Sequence, residues 1–338
     1  MKNSFKIFNK KINHNSPSLI IAEIGINHLG DVSLCEEMIL AALESGADCV
    51  KLQTTNATES YHPESESYSV FKGTEFNRDQ LYYLTKITEK NNGFLFSTPG
   101  DFTSLELLES INIKAYKVSS GLFKNIPLIK EIAKTNKPII FSTGMAKEIE
   151  ISRIMQLLSD YDKQKISLLH CTSIYPAPID TLNLTYINNM KEKYNIIVGY
   201  SDHSNGDLAC LSAIAMGAKI IEKHFTIDNK INGADNAMSM HHKDFKIMCT
   251  KIREVEEMMN GSNLKPHPEE LVNRDLRYRK IVAKENILIG DEINLKNVNF
   301  MRLASKVKCI DACDWNLVSG KKSKKEIKKF DPITFESI

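Results

Sequence analysis

The sequence predicts an α/β protein, a (β/α)8 barrel followed by a small, mostly β domain. Three observations predict it. Short apolar runs alternate with amphipathic stretches of about ten to fifteen residues, the pattern of strand–helix units in a parallel sheet. Eight such units fit within residues 18–260, and about 250 residues is the usual size of a closed barrel of this kind. No G-x-G-x-x-G follows the first apolar run, which argues against an open nucleotide-binding sheet.

The units follow in order. "SLIIAEIGI" (18–26) precedes a helical pattern at 32–46. "ADCVKLQT" (47–54) precedes a long polar insertion and a helix at about 78–91. "GFLFSTP" (93–99) leads to a helix at 102–111, and "AYKVSS" (115–120) to one at 126–135. "KPIIFST" (137–143) leads to a helix at 148–160, and "ISLLHCTS" (166–173) to a loop and a helix at 186–194. "IIVGYSDH" (196–203) leads to a helix at 208–217. "AKIIEKHFT" (218–226) closes the set, with a loop and a helix at 243–260.

Residues 1–17 read as a polar N-terminal arm, and 261–279, with two prolines, as a linker. Residues 280–338 carry short β-like runs with a turn at Ile289–Asp291 and read as the second domain.

Composition narrows the function classes. The 338 residues carry a formal net charge of +2, so no global field points to nucleic acid. The excess is local: residues 262–338 hold a net +5 against −3 elsewhere, which reads as a solvated basic face. Seven cysteines at irregular spacing read as reduced thiols. No apolar run approaches a membrane span, and the N-terminus lacks the apolar core of a signal peptide. A cytoplasmic protein is expected.

In such barrels catalytic groups sit where strands end at the C-terminal face. Every predicted strand here ends in polar residues: Glu23 and Asn27; Lys51 and Gln53; Ser97 and Thr98; Lys117, Ser119 and Ser120; Ser142 and Thr143; His170, Thr172 and Ser173; Ser201, Asp202 and His203; Glu222 and His224. Alternation puts Lys51 with Gln53, Ser201 with His203, and Glu222 with His224 on shared faces, and sends Lys223 outward. Singly, each has an ordinary reading. A lone histidine packs in a core, a lone lysine snorkels, and Ser or Thr caps a helix. Eight polar strand ends together are costly unless they form a site, at roughly 1–3 kcal/mol per unpaired buried group. Two lysines and a ring of hydroxyls suit a phosphorylated anion. Two histidines suit a divalent metal acting as Lewis acid, with Glu23 or Glu222 handling protons.

The motifs "IAEIGINHLGD", "GADCVKLQT", "FSTP", "AYKVSSG", "FSTGMA", "LLHCTSIYPAP", "GYSDHSNGDLACLSAIAMGA" and "IEKHFT" run through nearly the whole barrel in order. On them the chain resembles the bacterial sialic acid synthase family, whose barrel is joined to a small C-terminal domain similar to type III antifreeze protein. The resemblance implies condensation of phosphoenolpyruvate with an N-acetylated hexose, releasing phosphate and a nine-carbon nonulosonic acid. The sugar would be N-acetylmannosamine or a diacetamido-trideoxyhexose leading to legionaminic or pseudaminic acid. More remote alternatives are a barrel condensing phosphoenolpyruvate with an aldose phosphate, and a non-catalytic sugar-binding relative.

By resemblance, His203 and His224 hold Mn2+ or Mg2+, and Glu23 stands at the reacting centre with Lys51 and Lys117. Lys51, Thr98, Lys117, Ser120, Ser142, Ser173 and Ser201 match phosphoenolpyruvate-binding positions. Gln53, Tyr175 and Asp235 match sugar-side positions. Arg302, in "NFMRLAS", matches an arginine given to the partner's site in a domain-swapped homodimer. The chain departs from the family where Leu122 follows Ser120-Gly121 in place of a sugar-contacting glutamate. It also departs at "NGADNAM", at "KLQ", at "RLAS" and at "TPGD".

Overall fold

Eight parallel strands close on themselves in a computed structural model that describes residues 3–231, 233, 235–261 and 265–338. The strands are β1 (Leu19–Gly25), β2 (Cys49–Thr54), β3 (Phe94–Pro99), β4 (Tyr116–Val118), β5 (Ile139–Ser142), β6 (Ile166–Cys171), β7 (Ile197–Asp202) and β8 (Ile220–Thr226). They pair in sequence order, and β8 pairs with both β7 and β1, so the sheet has no free edge in the barrel. A two-residue strand, Met240–His241, adds outside β8. The chain divides into two compact units, Met1–Asn260 and Gly261–Ile338.

The helices of the barrel follow the expected order: α1 (Val32–Glu44), α2 (Arg78–Lys90), α3 (Phe102–Ser110), α4 (Ile126–Lys134), α5 (Glu148–Leu157), α6 (Tyr186–Tyr194), α7 (Leu208–Ala215) and α8 (His242–Met258). Local chemistry sets where they start. The Asp31 carboxylate accepts from the Ser33 and Leu34 amides and caps α1, whose Cys35, Met38, Ile39 and Ala42 form one buried stripe. Asp101 caps α3 through the Ser104 amide at 2.7 Å. Its other oxygen accepts from the Asn56 amide and the Ser60 hydroxyl, each at 2.7 Å, and so ties down the insertion after β2. That insertion holds two short helices, Ala57–Ser60 and Glu66–Lys72, absent from the sequence reading.

The N-terminal residues are more than a polar arm. Ser4–Ile7 and Lys10–Asn13 form an antiparallel hairpin. Phe5, Ile7 and Ile12 join the barrel's apolar core, and Phe8 stacks on Phe94, the first residue of β3, with ring centres 4.3 Å apart. The hairpin thus closes the N-terminal end of the barrel, opposite the strand ends that carry the polar residues. Burying each such side chain is worth roughly 1.5–3 kcal/mol. Charged residues alternating with these few apolar ones obscure the pattern in the sequence.

In the second unit, helix Pro268–Arg277 lies within the segment expected to be a linker. Strands Lys280–Ala283 and Val298–Met301 pair antiparallel. The core repeats one spacing: Ile287, Ile293 and Val298, then Ile327, Ile333 and Ile338, all buried. Backbone bridges such as Ile287 to Ile327 join the two halves. Most of the remaining backbone pairs singly and not in continuous strands. Of the "NGADNAM" loop, Asn232 and Ala234 lie outside the described residues.

Candidate active site

A cavity of about 450 Å3 opens at the C-terminal ends of the strands. The period-two alternation of the strands aims Lys51 and Gln53 into it from β2, Ser201 from β7, and Glu222 and His224 from β8. Lys117, Ser142, Ser120, Tyr175, His203, Asp235 and Glu23 complete the predicted part of its wall.

Two carboxylates frame the floor and carry opposite shifts. Lys51 Nζ lies 3.0 Å from Glu23 Oε1 and 3.5 Å from Glu222 Oε1. Lys117 Nζ lies 3.6 Å from the same Glu222 oxygen, which also accepts from the Ser201 hydroxyl at 3.0 Å. Burial alone would raise Glu222. The ammonium groups of Lys117 and Lys51 overcome it and hold the carboxyl down at about 2. Glu23 is also fully buried, and there burial wins over Lys51, with the Glu222 charge adding to it, so its carboxyl is pushed up to about 7. Of the two, Glu23 is therefore the group that exchanges a proton near neutrality.

The lysines differ in the same way. Burial pulls Lys51 down, but Glu222 and Glu23 outweigh it and its ammonium is stabilised. Burial dominates at Lys117 despite Glu222, and its pKa falls. Lys117 Nζ donates to Ser142 Oγ at 2.5 Å. Beside it, Ser173 Oγ donates to Ser120 Oγ at 3.0 Å. Gly144 permits that cluster. Its φ is +43°, and a Cβ there would sit 2.2 Å from Ser120 Cβ and 2.6 Å from Ser173 Oγ.

The imidazoles of His203 and His224 are neighbours, with ring centres 5.4 Å apart. His203 Nδ1 donates to the Thr172 carbonyl at 2.8 Å, which leaves Nε2 with its lone pair. His224 Nδ1 is buried without a hydrogen-bond partner and lies 3.7 Å from Asp235 Oδ2. Burial, then the neighbouring His224, lowers His203 to about 4. Burial lowers His224 as well, against the pull of Asp235. Both rings are neutral at pH 7, the form that binds a metal. Two neutral imidazoles, one with an orphaned nitrogen and one fixed by a carbonyl, with a carboxylate beside them, fit a divalent cation. Asp235 is held by its own loop. Ser239 Oγ donates to the Asp235 carbonyl at 2.6 Å, and Asn27 Nδ2 donates to Ser239 Oγ at 2.9 Å.

Tyr175 lies in the loop after β6, and a cis peptide joins it to Pro176. Its ring lies 4.3 Å from that of His203. Gln53 Nε2 donates to Glu23 Oε1 at 3.0 Å. Thr98 pairs in register with Gln53, and its buried hydroxyl lacks a partner. Arg302 belongs to the second unit, where its Nε donates to the Arg277 carbonyl. Leu122 packs on the barrel core and does not line the cavity. Among the described residues, Glu23 Oε2, Glu222 Oε2, Thr98 Oγ1 and His224 Nδ1 are all buried and unpartnered. Four such atoms at one end of the barrel are what a polar ligand would satisfy.

Some strand-end residues point elsewhere. His170 faces out of the barrel, where its Nε2 meets the Leu182 carbonyl at 2.7 Å. Cys171, one residue on, lines the cavity in its place, which strict alternation from Leu169 would have indicated. Ser97 hydrogen-bonds Thr54 on the outer side. Ile26, and Ser67 and Phe71 of the insertion helix, also line the cavity. The polar insertion gave no periodic signal that would have singled them out.

A closed barrel with buried, oppositely shifted carboxylates and convergent lysines and imidazoles at its C-terminal mouth defines an enzyme of the (β/α)8 class. The NeuB family model matches residues 38–264, and the chain belongs to that family. It is 36% identical to N,N'-diacetyllegionaminic acid synthase of Campylobacter jejuni subsp. jejuni over 86% of this chain and 92% of the relative. It is 33% identical to pseudaminic acid synthase of the same organism over 93% of this chain and 94% of the relative. Among solved structures, N-acetylneuraminic acid synthetase of Leptospira borgpetersenii, in complex with citrate, superposes with a TM-score of 0.77 at 33% identity. That match covers 82% of this chain and 97% of the other. The protein is a synthase of the nonulosonic acid class.

Proposed function

We propose that the enzyme condenses phosphoenolpyruvate with a 2,4-diacetamido-2,4,6-trideoxyhexose, giving a legionaminic- or pseudaminic-type acid and phosphate. The observation that carries the chemistry is the cavity itself. Lys51 and Lys117 converge beside Ser142, Ser120, Ser173 and Ser201, and His203 and His224 line the same cavity. The glutamate that contacts the sugar in many sialic acid synthases is absent at Leu122, whose side chain turns to the core. One partner for a sugar hydroxyl is therefore missing, which favours a deoxygenated acceptor over N-acetylmannosamine. Phe71 and Ile26 add apolar wall, and the names of the relatives point the same way.

In this reading the two ammonium groups and the hydroxyls bind the phosphate and carboxylate of phosphoenolpyruvate. Thr98 Oγ1 supplies a further donor. Gln53, Tyr175 and Asp235 orient the acceptor so that its aldehyde carbon faces C3 of phosphoenolpyruvate. His203 and His224 hold Mn2+ or Mg2+, which polarises a carbonyl when bound. C3 attacks the aldehyde carbon, and the carbonyl π pair becomes an alkoxide. Water adds to the electron-poor C2 left behind, and Glu23 Oε2 takes a proton of that water and returns it to the alkoxide. The tetrahedral centre expels phosphate as its hydroxyl loses its proton and becomes the ketone. Glu222 stays ionised and keeps both lysines charged and in place.

A homodimer in which Arg302 serves the partner's cavity fits the same reading. Apolar side chains exposed on the loops of this barrel face, Met145, Ile174 and Ile179 among them, suit a covered surface. No helix among the described residues is long and apolar enough to cross a membrane. We place the enzyme in the cytoplasm, where phosphoenolpyruvate is made and thiols stay reduced.

The test is phosphate release from phosphoenolpyruvate with Mn2+ across a panel of N-acetyl hexoses, diacetamido-trideoxyhexoses and aldose phosphates. Release only with a diacetamido sugar supports the proposal. Release with N-acetylmannosamine alone would overturn the choice of acceptor, and release only with an aldose phosphate would overturn the synthase reading.

A further inference from the structure

We infer that Lys223 and Asp202 form a positioning pair that sets the spacing of His203 and His224, on the reading that these histidines hold the metal. Lys223 and Asp202 are register partners and make the last rung joining β8 to β7. Both side chains point away from the barrel axis and are almost fully buried. One residue beyond each stands an imidazole that points the other way, into the cavity. The outer ion pair and the inner histidine pair are thus two faces of the same strand ends.

The contacts bracket His203. Lys223 Nζ lies 2.6 Å from Asp202 Oδ2, on one side of it, and donates to the Ser204 carbonyl, on the other. Asp202 Oδ1 accepts from the Ser204 amide at 2.9 Å, the Ser204 hydroxyl at 2.8 Å and the Tyr200 hydroxyl at 3.1 Å. Cys210 of α7 donates to Asp202 Oδ2 at 3.3 Å. His203 lies past the last rung. Its carbonyl accepts from the Ala177 amide at 2.9 Å and its ring is held by the Thr172 carbonyl, but neither contact ties it to β8. Lys223 supplies that hold, and because it sits between Glu222 and His224 it ties the two histidine-bearing segments together.

Stability alone does not call for this arrangement. A buried ion pair recovers little more than its desolvation cost, and an apolar pair of similar volume often serves as well. Directional hydrogen bonds at fixed register do what an apolar pair cannot. Groups behind metal ligands commonly change metal affinity about tenfold to a hundredfold when removed.

The experiment titrates the full-length protein with Mn2+ by calorimetry, and separately with phosphoenolpyruvate without metal. The variants are Lys223→Met, the charge-neutral double variant Asp202→Asn/Lys223→Gln, Lys223→Arg and His203→Ala. The expected result is a Mn2+ Kd raised about tenfold or more in the first two. Phosphoenolpyruvate affinity should stay near wild type, and Lys223→Arg should recover most of the metal affinity. A folded Lys223→Met or double variant with wild-type Mn2+ affinity overturns the inference. So does failure of both to fold, since the pair would then be a folding element. Wild-type Mn2+ affinity in His203→Ala would instead remove the metal reading on which the inference rests.

Discussion

Lys117 Nζ lies 3.6 Å from Glu222 Oε1, although β4 and β8 stand on opposite sides of the barrel. The two long side chains meet near the axis, and the cavity floor is the charge cluster they make with Lys51. An anion arriving there meets two buried ammonium groups already neutralised in part by one carboxylate. Lys117→Met should therefore weaken phosphoenolpyruvate binding without unfolding the barrel. One charge-assisted contact is worth about 1.5–3 kcal/mol, so KM for phosphoenolpyruvate should rise about tenfold to a hundredfold. Initial rates against phosphoenolpyruvate concentration check this, and an unchanged KM would exclude Lys117 from the anion site.

Glu23 sets the pH response. Its carboxyl is raised from 4.5 to about 7, by burial first. A base with that value is protonated in acid, so kcat/KM should rise with pH through about 7. Glu23→Gln should lose both the limb and most of the rate. The stability sign runs the other way. The native state holds its proton between 4.5 and about 7 while the unfolded chain has lost it. Glu23 alone makes stability fall as pH rises across that window, whereas His203, lowered from 6.5 to about 4, makes it rise below 6.5. The wild-type minus Glu23→Gln difference in unfolding free energy isolates Glu23, and it should fall from pH 4.5 to about 7. Urea unfolding at a series of pH values measures it.

The hairpin at the barrel floor should matter for stability and little for chemistry. Phe5 is fully buried in the core. Phe5→Ala should cost about 3–5 kcal/mol in urea unfolding. In the folded fraction kcat should stay near wild type, because the strand ends that carry the site are at the other end of the barrel.

Asp101 should be among the most sensitive positions outside the cavity. Removing its carboxylate uncaps α3 and strands the Asn56 amide and the Ser60 hydroxyl. Asp101→Ala should cost about 2 kcal/mol or more. Because the insertion carries Ser67 and Phe71 to the cavity, the acceptor KM should also rise.

The barrel was legible because burial imposes a regular period. Strands such as Leu19–Gly25 and Ile220–Thr226 are buried at every position, so they read as apolar runs broken only by functional polar residues. The same alternation showed that Lys51, Gln53, Ser201, His203 and His224 face one way. At β6 the set of polar strand ends includes His170, which faces outward, and leaves out Cys171, which the same alternation counted from Leu169 aims inward. Three kinds of feature were not legible. The N-terminal hairpin buries too few residues to show a period. The insertion helix Glu66–Lys72 has no buried residue, so nothing in its pattern marks it as wall. The division of labour between Glu23 and Glu222 depends on which ammonium groups each meets, and that is a property of three dimensions alone.

The metal reading has the most direct test. A crystal grown with Mn2+ and phosphoenolpyruvate should show an anomalous peak in the cavity, bound by one ring nitrogen each of His203 and His224 at a distance on the order of 2 Å. A peak only at the other cluster of potential ligands, Asp311, Cys313 and Asp314, or no peak between the two imidazoles, would contradict it.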